Sequence, residues 1–183
     1  PQLLHPTLLC FSSLYWISGF TALMQSIGNN VKRVITKRPF RPLLMLHLIE
    51  QYRVNVMITA PSQVAMLLQS PWLKLADLSS MRLHLVGGGF LDEGLRKSMQ
   101  DHLLYGGLIV SYGMTEMAGL ISFTVPFQAP SKSVGKIVPN TKLKVNGCVK
   151  ETALSKAVKS AIIYRLSTKM ETQWTRMKLV RFT

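Results

Sequence analysis

The strongest constraint on the fold is a repeated change of period along the chain. Short apolar runs of strand length alternate with longer stretches whose apolar positions recur at helical spacing. Residues 7–11 read as a strand, and 15–27 as a largely buried helix ending at Gly28-Asn29-Asn30, residues that tolerate the left-handed conformation of a C-cap. A strand over 31–36 follows, then a helix over 42–52 that opens on Pro42 and buries Leu43, Leu46 and Ile49. Residues 54–59 are rich in β-formers, and Pro61 starts a helix with Val64, Met66, Leu67 and Leu68 toward the core. After a loop around 71–80, a strand over 82–86 runs into Gly87-Gly88-Gly89. A helix over 91–104 carries Asp92 and Glu93 in its first turn, where the helix dipole favours acids. Residues 108–110 form a short strand and 111–116 a polar turn. Strand–helix units on short connections predict an α/β fold, a parallel or mixed sheet layered with helices.

Past Pro139 the pattern deteriorates. Residues 142–145 still alternate like a strand, but from Asn146 single charges are scattered without a sustained period. Over 153–166, Ala153, Leu154, Ala157, Ala161 and Ile162 fall near one helical face, although a poorly packed basic extension fits this composition better. The expected division is a folded domain over 1–145 and a divergent basic tail over 146–183.

The chain of 183 residues is 48% hydrophobic and 16% charged, too apolar to stay unfolded and long enough for one domain with a core. A net charge of +14 first suggests nucleic acid or an anionic membrane. The excess is uneven: 12 basic and 6 acidic residues up to Asn140 give +6, whereas 10 and 2 from Thr141 give +8 in the tail. Tyr164, Trp174 and Phe182 are the tail's aromatic residues, no groove-reading motif accompanies them, and no specific nucleic-acid partner is expected. Cys10 and Cys148 have neither paired metal spacing nor the density of a disulfide scaffold, so an intracellular, reducing compartment is expected. The apolar opening lacks a basic n-region and contains His5 and Pro6, so the chain reads as the interior of a longer one. The stretch at 14–27 is broken by Ser18, Gly19, Thr21, Gln25 and Ser26. It falls short of the roughly 20 apolar residues of a bilayer span, and no transmembrane segment is predicted.

Two clusters place glycine and small polar residues just after a predicted strand, where open α/β sheets bind ligands. Gly87-Gly88-Gly89 can bring bare backbone against a flat ligand, yet a glycine run is more often a tight strand-to-helix turn. No Lys-Ser/Thr pair follows it, so it is not a P-loop. Ser111-Tyr112-Gly113-Met114-Thr115-Glu116 is more specific. It combines a ring able to stack on a base, a glycine that opens the backbone, a hydroxyl for a phosphate oxygen and a carboxylate for Mg2+. On the residues alone, a polar loop with Thr115 capping a short helix and Glu116 facing solvent stands level with that reading.

Tyr112-Gly113-Met114-Thr115-Glu116 resembles the signature of the adenylate-forming superfamily, which includes AMP-forming acyl-CoA synthetases, 4-coumarate–CoA ligases and luciferases. Three further segments fall in that family's order: Thr59-Ala60-Pro61-Ser62, Asp77-Leu78-Ser79-Ser80-Met81-Arg82 before the glycine turn, and Ser133-Val134-Gly135-Lys136-Ile137-Val138-Pro139 after the signature. The resemblance covers about residues 8–145. It implies part of the large N-terminal domain of an acyl-CoA synthetase-like fold, with 1–145 as a partial AMP-binding domain. It implies activation of a fatty or aryl carboxylic acid with ATP to an acyl-adenylate, followed by transfer to coenzyme A, with ATP/AMP, Mg2+ and coenzyme A as cofactors and substrates. Carried over by position, Tyr112 stacks on adenine, and Gly87, Gly88 and Gly89 line the adenine and acyl pockets. Ser111, Gly113 and Met114 complete the binding segment, Thr115 binds the α-phosphate, and Glu116 coordinates Mg2+.

The family's Ser/Thr/Gly-rich phosphate loop, ribose-binding Asp, hinge and lid Lys have no counterpart in these residues. Where many members place an acyl-pocket His, this chain reads Leu14-Tyr15-Trp16-Ile17-Ser18-Gly19, with Tyr15 and Trp16 as pocket or packing aromatics. His5, His47, His84 and His102 match no family site and are expected at the surface or partly buried. The expectation is a truncated ligase fragment, inactive alone, with self- or partner association through its exposed edges. A non-catalytic interaction module and, more remotely, nucleic-acid binding through the tail are the other classes. Relatives include peroxisomal enzymes, but the ending Val-Arg-Phe-Thr is no Ser-Lys-Leu type signal, which leaves peroxisome or cytoplasm.

Overall fold

The strand–helix alternation folds into a seven-stranded mixed sheet in the computed structural model, which describes residues 6–125, 133–139, 141–145 and 148–151. Strands β1 (Thr7–Cys10), β2 (Lys32–Val34), β3 (Val56–Thr59), β4 (Leu83–Val86) and the first half of β5 (Gly107–Met114) run parallel. Strands β6 (Gly119–Phe123) and β7 (Lys136–Ile137) add antiparallel, giving the order β2-β1-β3-β4-β5-β6-β7. Helices α1 (Ile17–Gly28), α2 (Pro42–Tyr52), α3 (Pro61–Gln69) and α4 (Glu93–Asp101) are the crossovers. Because β1 has β2 on one side and β3 on the other, α1 lies on one face of the sheet and α2, α3 and α4 on the opposite face.

The second of these faces is the main core. Leu9, Met57, His84 and Leu108 lie level across four strands, all at most 1% exposed. Met45 and Ile49 from α2, Val64 and Leu67 from α3 and Met99 from α4 cover that face. Burying each such side chain contributes about 1.5–3 kcal/mol, which fixes strand register because a one-residue slip would turn the row outward. Two expected core residues lie outside it. Leu43 is 54% exposed, since α2 presents Met45, Leu46, Leu48 and Ile49 to the sheet, and Met66 is 46% exposed because the inward stripe of α3 is Val64 and Leu67.

Helix α1 is not largely buried. Its buried residues are Gly19 and Ala22, and a Cβ at Gly19 would overlap the Ser13 carbonyl oxygen. Trp16, Phe20, Met24 and Ile27, spaced to share one helical side, are exposed. The helix is rich in large apolar residues, but the described sheet covers its small-residue side, Gly19 and Ala22. Helix α4 is shorter than predicted because Asp92 is its N-cap, accepting from Gly94 N–H at 2.8 Å. It ends near Gln100, whose side chain bonds Gly106 C=O at 2.9 Å and Leu108 N–H at 2.7 Å, fastening the helix to the start of β5.

The largest correction concerns residues 111–116. Strand β5 continues through Met114, and only Thr115–Met117 form a 3-10 turn. The partner that extends β5 is β6, which the polar character of the segment concealed. The chain divides into compact units at 1–138 and 139–183. In the second unit, β8 (Lys142–Val145) pairs antiparallel with β9 (Cys148–Glu151), a strand not anticipated from sequence. The helix expected over 153–166, and His5, lie outside the described residues. No helix among the described residues is long and apolar enough to cross a membrane.

Candidate functional site

Parallel crossovers align the carboxyl ends of β1, β3, β4 and the parallel half of β5 and turn the first residues of α3 and α4 toward that rim. Free backbone N–H groups and the positive ends of helix dipoles favour anions there. The glycine turn begins where β4 ends. Gly87 N–H donates to Thr59 C=O at 3.1 Å, which ties the turn to the end of β3. A Cβ on Gly87 would come within 2.5 Å of Ser111 Oγ and 3.2 Å of the Ser111 carbonyl oxygen, so the two segments cross only because residue 87 has no side chain. Gly88 sits at φ +85°, in the left-handed region that favours glycine.

Facing this turn is the signature segment. Ser111 is buried and its hydroxyl donates to Val86 C=O at 3.2 Å. The β5–β6 register shifts between Tyr112 and Gly113, and this bulge leaves Tyr112 41% exposed at the rim. Gly113 is required at the shift because a Cβ there would overlap the Gly119 carbonyl oxygen. Past the 3-10 turn, Gly119 at φ +128° lies against α1, where an added Cβ would be 3.6 Å from Thr21 Oγ1. Thr115 and Glu116 stand exposed at the lip, their side chains without a hydrogen bond or ion pair among the described residues. The structure thus sets Gly87 beside Ser111, while Gly89 lies against Pro61 at the start of α3, Gly113 and Met114 pair with β6, and Thr115 and Glu116 follow in the exposed turn.

No group of three His, Cys, Asp or Glu side chains that could hold a metal occurs among the described residues. Glu116 offers one unpaired carboxylate beside the Thr115 hydroxyl. That donor set fits Mg2+ shared with nucleotide phosphates, which commonly takes one or two carboxylates, better than a cage made by protein alone.

Beneath the glycine turn lies a pair that sequence reasoning missed. His84 is fully buried, not partly exposed, and its Nε2 is 2.7 Å from Thr59 Oγ1. Its Nδ1 has no partner among the described residues, and burial pushes the imidazole pKa down to about 3. The ring is therefore neutral and holds the same threonine whose carbonyl anchors Gly87. The burial of His84, though not its pairing, had a signal: it sits inside the apolar run Leu83-His84-Leu85-Val86, a strand whose His84 and Val86 face is buried.

The Asp77–Arg82 segment is structural. Asp77 N–H donates to Glu50 Oε1 at 2.7 Å and Ser80 Oγ to Val54 C=O at 2.7 Å. Arg53 pairs with Asp77 at 2.7 Å. Hydrogen bonds from Ser79, and then the Arg53 guanidinium, hold the exposed Asp77 carboxyl at about 2. Tyr15 and Trp16, stacked edge to face at 5.3 Å, are exposed, and His47 lies on the far side of the sheet edge, along β2.

The profile of the AMP-binding enzyme family matches residues 2–158. Acyl-CoA synthetase 7 of Caenorhabditis elegans is 32% identical over 146 residues, which are 79% of this chain and 26% of that protein. 4-Coumarate–CoA ligase 4 of Arabidopsis thaliana is 30% identical over 148 residues, 77% of this chain and 25% of that protein. Among solved structures, o-succinylbenzoate CoA synthetase of Bacillus subtilis, in complex with its acyl-adenylate intermediate, superposes with a TM-score of 0.66 at 27% identity. That match covers 80% of this chain and 30% of the synthetase. The luciferase-like enzyme of the mealworm Zophobas morio gives 0.66 at 25% identity, over 74% of this chain and 37% of the enzyme. The chain spans about a quarter of the length of these curated relatives.

Proposed function

The chain belongs to the AMP-binding enzyme family, and from that premise we propose that it forms the nucleotide-binding wall of an AMP-forming acid–CoA ligase. In that reaction a carboxylate oxygen attacks the α-phosphorus of ATP, and the bond to the bridging oxygen breaks to release pyrophosphate. The thiol sulfur of coenzyme A then attacks the acyl carbonyl, its proton is lost to solvent or a base, and AMP leaves with the electrons of the acyl–oxygen bond. The names of the relatives, an acyl-CoA synthetase and a 4-coumarate–CoA ligase, support fatty or aryl acids as substrates and coenzyme A as acceptor.

The observation that carries this reading is the crossing of Gly87 and Ser111. It brings the glycine turn beside the residue that precedes the half-exposed Tyr112, and this proximity supports a place for a flat base. Tyr112 stacks on adenine, Gly87, Gly88 and Gly89 supply the opposite wall and part of the acyl pocket, and Ser111, Gly113 and Met114 hold the segment in place. Thr115 donates its hydroxyl to an α-phosphate oxygen. Glu116 would hold Mg2+, which when bound would supply positive charge against the phosphates. Such catalysis is mainly positioning and electrostatic stabilisation of the phosphoryl transition state, so each anchor matters.

Calorimetric titration of the full chain with AMP and with Mg-ATP tests the reading. Base stacking is worth about 1–3 kcal/mol, so Tyr112→Ala is expected to weaken binding roughly 5- to 160-fold; equal affinity of the variant would sink the assignment. These residues alone are expected to give no ATP–pyrophosphate exchange, because the family's polyphosphate loop and lid lysine are not among them. Clear exchange with a panel of fatty and aryl acids, lost in Glu116→Ala, would overturn that part. The exposed row on α1 is the observation favouring the second reading, an interaction module. Light scattering that finds a folded monomer at all concentrations counts against it.

A further inference from the structure

The first acidic residue of the chain is Glu50, whereas five cations, Lys32, Arg33, Lys37, Arg38 and Arg41, precede it within the ten positions 32–41. The fold gathers them on one place, the sheet edge at β2, which has no further strand among the described residues, and the start of α2. None of the five has an ion-pair partner among the described residues, where the sole pair is Arg53–Asp77. An open groove of about 410 Å3 runs along this edge, with Lys32, Arg33, Arg38 and His47 on its walls and Val34 and Leu48 beneath. Arg33 Nε is buried without a hydrogen-bond partner among the described residues, a charged donor left wanting an acceptor. Beside the cations, Ile35 is 74% and Leu43 54% exposed.

Cations on an edge strand also discourage pairing with a second sheet, and Lys32 and Arg33 would suffice for that. They do not account for Lys37, Arg38 and Arg41 beyond the strand, nor for the unsatisfied Nε or the bare aliphatic side chains. We propose that this edge docks on an anionic phospholipid surface, with a headgroup phosphate seated in the groove against Arg33 and with Ile35 and Leu43 entering the acyl boundary. Cations supply attraction to an anionic leaflet, and aliphatic groups among them bury area that a phosphodiester backbone cannot take. Tyr52 also lines the groove, but a single ring falls short of the succession of stacking aromatics that a nucleic-acid strand takes, and the bare aliphatic side chains favour a membrane surface. The surface lies at the β2 edge, three strands from β4 and its glycine turn, so it stands or falls independently of the nucleotide site.

The test is co-sedimentation of the full chain with vesicles of phosphatidylcholine alone and with 30% phosphatidylserine, a mixture chosen for its charge. Binding is expected for the anionic vesicles only and is expected to fall steeply between 0.1 and 0.5 M salt as charges are screened. Each cation near an anionic surface is worth roughly fivefold in partition, so Lys37→Gln/Arg38→Gln/Arg41→Gln should lower binding on the order of 100-fold. These side chains are exposed, and an unchanged urea midpoint would show that the variant folds. Ile35→Ser, which keeps every charge, should lower binding several-fold. The tail from Thr141 carries +8 and supplies the critical control. If the triple variant binds anionic vesicles as well as the parent, the tail is responsible and the proposal fails. It fails too if neutral vesicles bind equally, if no vesicle binds, or if a single-stranded RNA binds more tightly through the same three residues.

Discussion

His84 makes the stability of this fold depend on pH in a way that can be calculated. The imidazole has an ordinary value of 6.5, lowered in the folded chain to about 3 by complete burial. A base with a lowered folded pKa stays neutral while the unfolded chain takes up a proton, so its contribution is full above 6.5 and is lost progressively as pH falls toward 3. At pH 5 the unfolded histidine is almost wholly protonated and the folded one is not. Linkage then gives a loss of about 2 kcal/mol between pH 7 and pH 5 from this residue alone. With a urea slope of about 1–3 kcal/mol/M, the midpoint should fall by roughly 1 M. His84→Gln, whose amide can still reach Thr59 Oγ1, removes the titration and should flatten that part of the profile, whatever its own stability at pH 7. His47 and His102 are not fully buried and persist in both proteins, so the difference between the two profiles isolates residue 84. Parallel profiles over pH 5–7 would refute the claim that burial holds this ring neutral.

Gly113→Ala drives a methyl group into the Gly119 carbonyl, and should destabilise the β5–β6 pairing by about 1–3 kcal/mol in urea denaturation while weakening AMP binding. Gly87→Ala meets the Ser111 hydroxyl first and the Ser111 backbone second, so Ser111→Ala should recover part but not all of the loss; additive effects in the double-mutant cycle would rule this contact out. Glu116→Gln should leave the unfolding free energy from urea denaturation within about 0.5 kcal/mol of the parent, as an exposed and unpartnered residue does. Calorimetry should nonetheless lose the Mg2+-dependent part of nucleotide binding. The Asp77 carboxyl, lowered from 3.8 to about 2, stabilises the fold above its unfolded value and loses that contribution as pH falls through about 2. In an NMR titration Ser79→Ala, which removes the hydroxyl bond but keeps the Ser79 N–H bond, and Arg53→Ala should each raise its pKa.

The parallel part of the sheet was legible in the sequence because each βαβ unit carries its own punctuation. Pro42 and Pro61 begin helices, and β3 and β4 end at Thr59 and Val86, where the apolar runs end. What escaped were features set by contacts across the fold. Ser111 to Met114 are polar and glycine-containing, so nothing local marks them as strand; their ladder partner is β6. The row Trp16, Phe20, Met24 and Ile27 is as apolar as any core stripe, and only the placement of Gly19 and Ala22 shows which side meets the sheet. At the site, the residues that contact a ligand are readable from chemistry and spacing. The Thr59–His84 pair beneath them is not, because it depends on two strands standing level in register.

The wall carrying Tyr112 belongs to a hairpin whose arms are separated by a tight turn, whereas the glycine turn opposite belongs to a parallel pairing that must wait for a helical crossover. Closing a short loop takes far less chain entropy than closing a crossover, and hairpins form within microseconds. The order of assembly follows from this connectivity: the β5–β6 arm is made first, and Gly87 meets Ser111 only when β4 comes home alongside it. Amides of β6 should accordingly gain protection from exchange earlier in refolding than Gly87, whose N–H is secured by Thr59 only once β3 and β4 stand side by side.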